Sequence, residues 1–111
     1  MDRCRTAKAS EGGYIEVADG IVRKTLVFGE KTLMTEFRLG KGKMLPFHKH
    51  PHEQTGYLVS GHLILVIHGE RHEMTPGCSW SILGGVEHGA EILKDSVALE
   101  VFSPVREDYL P

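Results

Sequence analysis

Hydrophobic and polar positions alternate most clearly from Thr32 to Leu39, with Leu33, Thr35, Phe37 and Leu39 on one side of an extended chain and Thr32, Met34, Glu36 and Arg38 on the other. A period of two puts one set on a buried face, so the segment predicts a half-buried strand. Short runs rich in apolar and β-branched residues at Ile21–Phe28, Tyr57–Val59, Leu63–Ile67, Ser79–Leu83 and Val97–Phe102 predict further strands. Glycines punctuate them at short intervals, from Gly20 and Gly29 through Gly40, Gly42, Gly56, Gly61, Gly69 and Gly77 to Gly84 and Gly85, which is turn spacing. Ser60-Gly61-His62 and His68-Gly69-Glu70-Arg71 read as hairpin turns. The run Leu63 to Ile67 is apolar without interruption and reads as a strand covered on both faces, with a second subunit as one source of that cover. No segment carries a helical period, and about eight to ten strands in this length point to an all-β sandwich or small barrel.

Composition agrees with one soluble domain: 111 residues, 41% hydrophobic and 25% charged. The barrel is expected over residues 13–111, with residues 1–12 as a flexible N-terminal segment. No apolar run approaches the ~20 residues of a membrane helix, and MDRCRTAKAS lacks the apolar stretch of a secretory signal. The expectation is a cytoplasmic protein without membrane contact. A net charge of −2 implies no general attraction to nucleic acid. Cys4 and Cys78 fit reduced thiols, and Cys78 reads as a small buried hydrophobe.

All seven histidines fall between positions 48 and 88, three of them in Phe47-His48-Lys49-His50-Pro51-His52-Glu53-Gln54. On a strand His48, His50 and Gln54 project together into a barrel interior, and His52 has the same parity. Converging imidazoles suit a divalent transition metal such as zinc, nickel, manganese, iron or copper, whereas magnesium and calcium prefer oxygen ligands. A further ligand has to come from elsewhere, and His88 in Gly84-Gly85-Val86-Glu87-His88 is the best placed, because glycines there let the backbone turn back tightly. His62, His68 and His72 read as surface or satisfied core residues.

These residues resemble the two motifs of the cupins. Gly42, five residues, His48-Lys49-His50, three residues, Gln54, six residues and Gly61 are similar to the first motif, with Gln where many members have Glu. Gly77, five residues, Leu83-Gly84-Gly85, two residues and His88 are similar to the second, with Leu83 at the usual Pro position and Ile92 where many members have Asn. The resemblance implies a single-domain jelly-roll barrel, the double-stranded β-helix, with metal held by His48, His50, Gln54 and His88. One cupin barrel hosts many reactions, so the fold alone does not name one. Gln54 makes the ligand set neutral, which leaves a bound cation its full +2 charge, and an amide cannot serve as the metal-bound base of a Glu-dependent dioxygenase.

On a strand Glu100 and Phe102 share one face, which is either the barrel interior, beside a metal, or the outer surface. Arg106 follows Ser103-Pro104, where proline ends a strand, and it is either a carboxylate-binding residue or an ordinary surface arginine. HxHPHEQ, GGVEHGAE and the terminal VFSPxREDYL together resemble the small cupins associated with pectin degradation, which linearise unsaturated uronates. That resemblance implies a site on Glu100, Phe102 and Arg106, with Glu100 one methylene longer than the family's usual Asp. It implies ring opening and ketonisation of a 4,5-unsaturated uronate, with Glu100 moving the proton, Arg106 holding the carboxylate of a small anionic sugar acid, and Phe102 against the sugar face. The cofactor would be one divalent ion, Zn, Ni, Mn or Fe. Trp80 and Tyr57 read as core, with a place on the cavity wall as the alternative. A metal-dependent dioxygenase and a non-catalytic sugar-binding cupin are the other readings, and a two-fold homodimer is expected.

Overall fold

The computed structural model describes residues 4–111, and its regular structure is eight strands and one short 3-10 turn. The strands are β1 (Ile15–Ala18), β2 (Ile21–Phe28), β3 (Leu33–Leu39), β4 (Met44–His48), β5 (Glu53–Ile67), β6 (Glu70–Met74), β7 (Ser79–Ile82) and β8 (His88–Ser103), followed by the turn at Glu107–Tyr109. The all-β jelly-roll expectation holds. β2 coincides with its predicted run, and β3 shows the alternation read from the sequence: Leu33, Thr35, Phe37 and Leu39 are buried while the residues between them are not.

Every pairing is antiparallel, in the order β1-β2-β3-β8-β5-β6, with β4 also on β8 and β7 also on β5. Two long strands organise this arrangement. The first part of β8 pairs with β4 and the second with β3, while β5 runs along nearly its whole length (Glu53↔Ser103, Leu58↔Ala98, Ile67↔His88). Both long strands therefore serve two sets of neighbours, and β1, β4, β6 and β7 each pair along one edge only.

The hairpin expected at Ser60-Gly61-His62 is not formed: β5 is one 15-residue strand running through it. Its pairing with β8 slips between Leu58 and Leu63, and the His62 amide donates to Ser96 Oγ at 3.0 Å instead of to the ladder. Such an irregularity bends a strand between sheets, a use of glycine that resembles a turn when only sequence is visible. His68-Gly69 does form the β5–β6 hairpin, with φ of 50° and 82°. Ile21, Phe37, Leu39, Leu58, Leu63, Leu65, Ile82, Ala90, Ile92 and Ala98 build the core. Full burial of a side chain such as Leu58 contributes about 2 kcal/mol. Val66, on the other face of the apolar run, is buried within one chain, while Ile64 on that face is half-buried.

Residues 4–12 hold no strand; Arg5 donates to Phe28 O at 2.9 Å and Lys24 Nζ to Ala9 O at 2.7 Å. No helix among the described residues is long and apolar enough to cross a membrane.

Candidate metal centre and active site

The histidine run is not a strand throughout. His48 ends β4, residues 49–52 form a connection, and Gln54 is the second residue of β5. His88 opens β8 directly opposite His48 in the ladder, so register brings these two imidazoles together, their ring centroids 4.3 Å apart. His50 is delivered by the connection. The Gly85 amide donates to His50 O at 2.8 Å, and a Cβ at position 84 would stand 2.2 Å from Pro51 O, so only glycine allows the two loops to approach this closely. The ring of His50 then lies 5.1 Å from that of His88.

One ring nitrogen from each of His48, His50 and His88 falls within 4.8 Å of the others. Their remaining nitrogens share one pattern: Nδ1 of His48, His50 and His88 lies 2.9, 2.9 and 2.8 Å from the backbone oxygens of Pro46, His52 and Val86. A carbonyl only accepts, so each Nδ1 carries the proton and donates it, and each neutral ring presents an Nε2 lone pair. His88 Nε2 is buried with no hydrogen-bond partner. Burial holds both His50 and His88 below the usual imidazole range, His88 to about 4, so protonation does not occupy those lone pairs near neutrality.

Gln54 lies beside the three rings. Its Nε2 donates to Glu100 Oε2 at 3.0 Å, which turns Oε1 toward His50 Nε2 at 2.7 Å. Two acceptors at that distance can share one cation. Three imidazole nitrogens and one amide oxygen are donors typical of first-row divalent ions, and the orphaned His88 Nε2 shows that the residues present fit such an ion.

Behind Gln54 lies Glu100. Sequence left its face open, and it points inward, buried, with Oε1 accepting from Trp80 Nε1–H at 2.9 Å. Burial pushes its carboxyl up to about 8 against the two donors that favour the ionised form. Gly56 sits opposite both Glu100 and Trp80 in the ladders, and a Cβ there would lie 2.1 Å from Trp80 Nε1 and 2.6 Å from Glu100 Oε2. The space that lets Glu100 reach Trp80 and Gln54 is thus the missing side chain of Gly56.

Phe102, two residues along β8, is buried with its ring edge-on to His50 and Tyr109 at 5.6 and 5.3 Å. Arg106 sits in the corner the two aromatics make, its guanidinium carbon 5.0 Å from the Phe102 ring centre and 3.9 Å from that of Tyr109. His48, Gln54, His88, Glu100, Phe102 and Arg106 all line one cavity of about 280 Å³, whose other walls are core side chains such as Phe37, Leu39, Leu63 and Leu65.

Trp80 belongs both to the core and to the cavity wall, as the donor to Glu100. Tyr57 belongs to neither: it is 47% exposed, because Gln54, Gly56 and Leu58 take the inward positions of β5. His52 lies outside the cluster, since strand parity does not apply in the connection; its carbonyl instead orients His50. Cys78 is half-exposed beside Thr75 rather than buried. His62 pairs with Glu73 at 2.8 Å, and neither it nor His68 or His72 joins the cluster. Gly56, Asp108 and Tyr109 were not singled out by sequence, although the period of β5 carried the signal for Gly56.

The cupin domain family matches residues 35–104, which include every candidate ligand and Glu100. The chain is a cupin. It is 33% identical over 102 residues to the pectin degradation protein KdgF of Dickeya dadantii, covering 90% of this chain and 93% of that one. It is also 36% identical over 69 residues to the H2HPP isomerase of Bacillus subtilis, a match that spans 60% of this cupin and 29% of that protein. Among solved structures, KdgF from a Halomonas species superposes with a TM-score of 0.89 at 28% identity, covering 96% of this cupin and 99% of that chain. An RmlC-like cupin from Shewanella frigidimarina gives 0.88 at 26% identity, covering 95% of each.

Proposed function

We propose that this cupin opens and ketonises 4,5-unsaturated uronates released from pectin or alginate, with a divalent transition metal held by His48, His50, Gln54 and His88. One observation carries the reading: a neutral set of four acceptors is joined through Gln54 to a buried carboxyl, in the same cavity as a guanidinium. Similarity along nearly the whole chain to a pectin degradation protein supports the substrate class.

Ring opening breaks the bond between the ring oxygen and the hemiacetal carbon. The hemiacetal hydroxyl loses its proton to become an aldehyde, and the ring oxygen gains one to become an enol. Ketonisation then moves the enol proton to the neighbouring alkene carbon, with nothing oxidised or reduced. A bound divalent cation supplies Lewis-acid polarisation of a substrate oxygen, and the neutral ligand set leaves its charge undiminished. Glu100 handles the proton: burial keeps its carboxyl protonated into the neutral range, and Trp80 and Gln54 fix both its oxygens. Arg106 binds the substrate carboxylate, and Phe102 presents an apolar face that keeps water from the reacting atoms. The reading includes a cytoplasmic, two-fold dimeric protein, which sedimentation and cell fractionation would test.

The test mixes metal-loaded protein with freshly prepared unsaturated galacturonate and follows loss of its ultraviolet absorbance, with an oxygen electrode alongside. Wild type should accelerate the loss without O₂ uptake, and Gln54→Ala and Arg106→Ala should not. No acceleration by protein with bound metal contradicts the substrate assignment, and O₂ uptake with an enediol would favour the dioxygenase reading.

A further inference from the structure

Asp108 lies outside the cavity wall, yet it grips the guanidinium that is on it. Its Oδ1 accepts from Arg106 Nε at 3.2 Å and its Oδ2 from Nη2 at 2.7 Å. A guanidinium offers two edges to a carboxylate, the Nε–Nη2 side and the Nη1–Nη2 end. Asp108 takes the side, which leaves the end for a second carboxylate. Phe102 and Tyr109 limit the plane of the group from two directions, at 5.0 and 3.9 Å.

The residue doing the gripping is itself tied down. The 3-10 turn that carries it is anchored to β2, where Thr25 Oγ1–H donates to Tyr109 O and Arg23 Nη2 donates to Asp108 O at 3.4 Å. The Arg23 guanidinium carbon stands 3.8 Å from the Tyr109 ring centre, and Arg23 is buried. An exposed ion pair contributes little. Here only the Asp108 side is open, at 58% against 13% for Arg106, and two-point geometry with stacking fixes orientation rather than adding stability.

We infer that Asp108 is a specificity-determining positioning residue, which holds Arg106 side-on so that its free end selects substrates bearing a carboxylate over their neutral esters. The inference rests on the proposed role of Arg106 as the carboxylate-binding group. Substrate meets Arg106; Asp108 acts through it. The arrangement needs both edges of one planar cation, so lysine at 106 cannot replace it.

The experiment compares kcat/KM of the metal-loaded wild type, Arg106→Ala, Arg106→Lys, Asp108→Ala and Asp108→Glu on unsaturated galacturonate and on its methyl ester. The same proteins are titrated calorimetrically with D-galacturonate and its methyl ester, a readout independent of turnover. Wild type should prefer the acid in both, and Arg106→Ala and Arg106→Lys should lose that preference. Asp108→Ala should lower the preference by about tenfold, the scale of one charge-assisted hydrogen bond, through KM rather than kcat. Asp108→Glu should restore part of it, with melting temperature and metal content unchanged across the Asp108 variants. Loss of preference in Arg106→Ala but full preference in Asp108→Ala overturns this inference and leaves the role of Arg106 standing. Unchanged preference in Arg106→Ala, or no discrimination by any of the proteins, overturns both.

Discussion

His50 and Gln54 face each other acceptor to acceptor, Nε2 of the imidazole 2.7 Å from Oε1 of the amide. Neither can turn away cheaply. The His50 ring is held by its Nδ1–H donating to the His52 carbonyl, and the Gln54 amide by its N–H donating to Glu100. A shared cation would make both of them ligands.

Stability should therefore respond to metal. Chelator-treated protein should melt higher on addition of Zn²⁺, Ni²⁺ or Mn²⁺, by the equivalent of about 2.7 kcal/mol at a hundredfold excess over Kd. His50→Ala and His88→Ala should abolish that shift in differential scanning calorimetry. Gln54→Glu should keep metal binding but lower activity, because a carboxylate there cancels part of the cation's charge and removes the N–H donated to Glu100. An unchanged melting temperature in wild type would contradict the ligand assignment.

Space at Gly56 and the indole of Trp80 set the position of Glu100. Gly56→Ala puts a methyl group 2.1 Å from Trp80 Nε1 and 2.6 Å from Glu100 Oε2, so the site must shift. The expected loss is about 1–3 kcal/mol in urea denaturation, with activity falling further than stability. Trp80→Phe keeps most of the packing but removes the donor to Glu100 Oε1, and should lower kcat by about tenfold or more. Equal effects of Trp80→Phe and wild type on rate would remove the indole from the site's function.

How much of this could be read beforehand follows from which pattern each feature obeys. β2 was legible as a run rich in apolar and β-branched residues, and β3 because alternation with one buried face is a local signal. Gly61 misled because glycine marks a hairpin and a strand bend alike, and only the partner strand, with Ser96 against the bend, tells them apart. The grouping of His48, His50, Gln54 and His88 followed from motif spacing, yet strand parity gave companions for His48 by a wrong route, since the register of β4 on β8 and the docking of the connection bring the three rings together. Asp108 and Tyr109 left no local signature. Their significance lies in contacts with Arg106 and Arg23, and Arg23 is 85 residues from Asp108 in sequence.

Burial of Glu100 gives stability a pH dependence of definite sign. Its carboxyl stands at about 8 in the folded chain against 4.5 when unperturbed, so the folded state binds the proton more tightly. That contribution is complete below about 4.5, falls as pH rises and is gone above about 8, with a limiting slope near 1.4 kcal/mol per pH unit. Metal-free wild type should therefore lose stability relative to metal-free Glu100→Gln between pH 5 and 8, and the difference should level off above that range. Parallel stability curves for the two proteins would show that Glu100 titrates normally.

The central claim is that this site delivers a proton to the ketonising carbon, and proton nuclear magnetic resonance in D₂O tests it most directly. Unsaturated galacturonate is incubated with metal-loaded wild type, with Glu100→Gln, and without protein, and deuterium is located at the former alkene carbon. Wild type should give one epimer, deuterated on a single face, faster than the uncatalysed reaction, and Glu100→Gln should give the slow mixture of both epimers seen without protein. The same mixture at the same rate in all three samples would contradict the account.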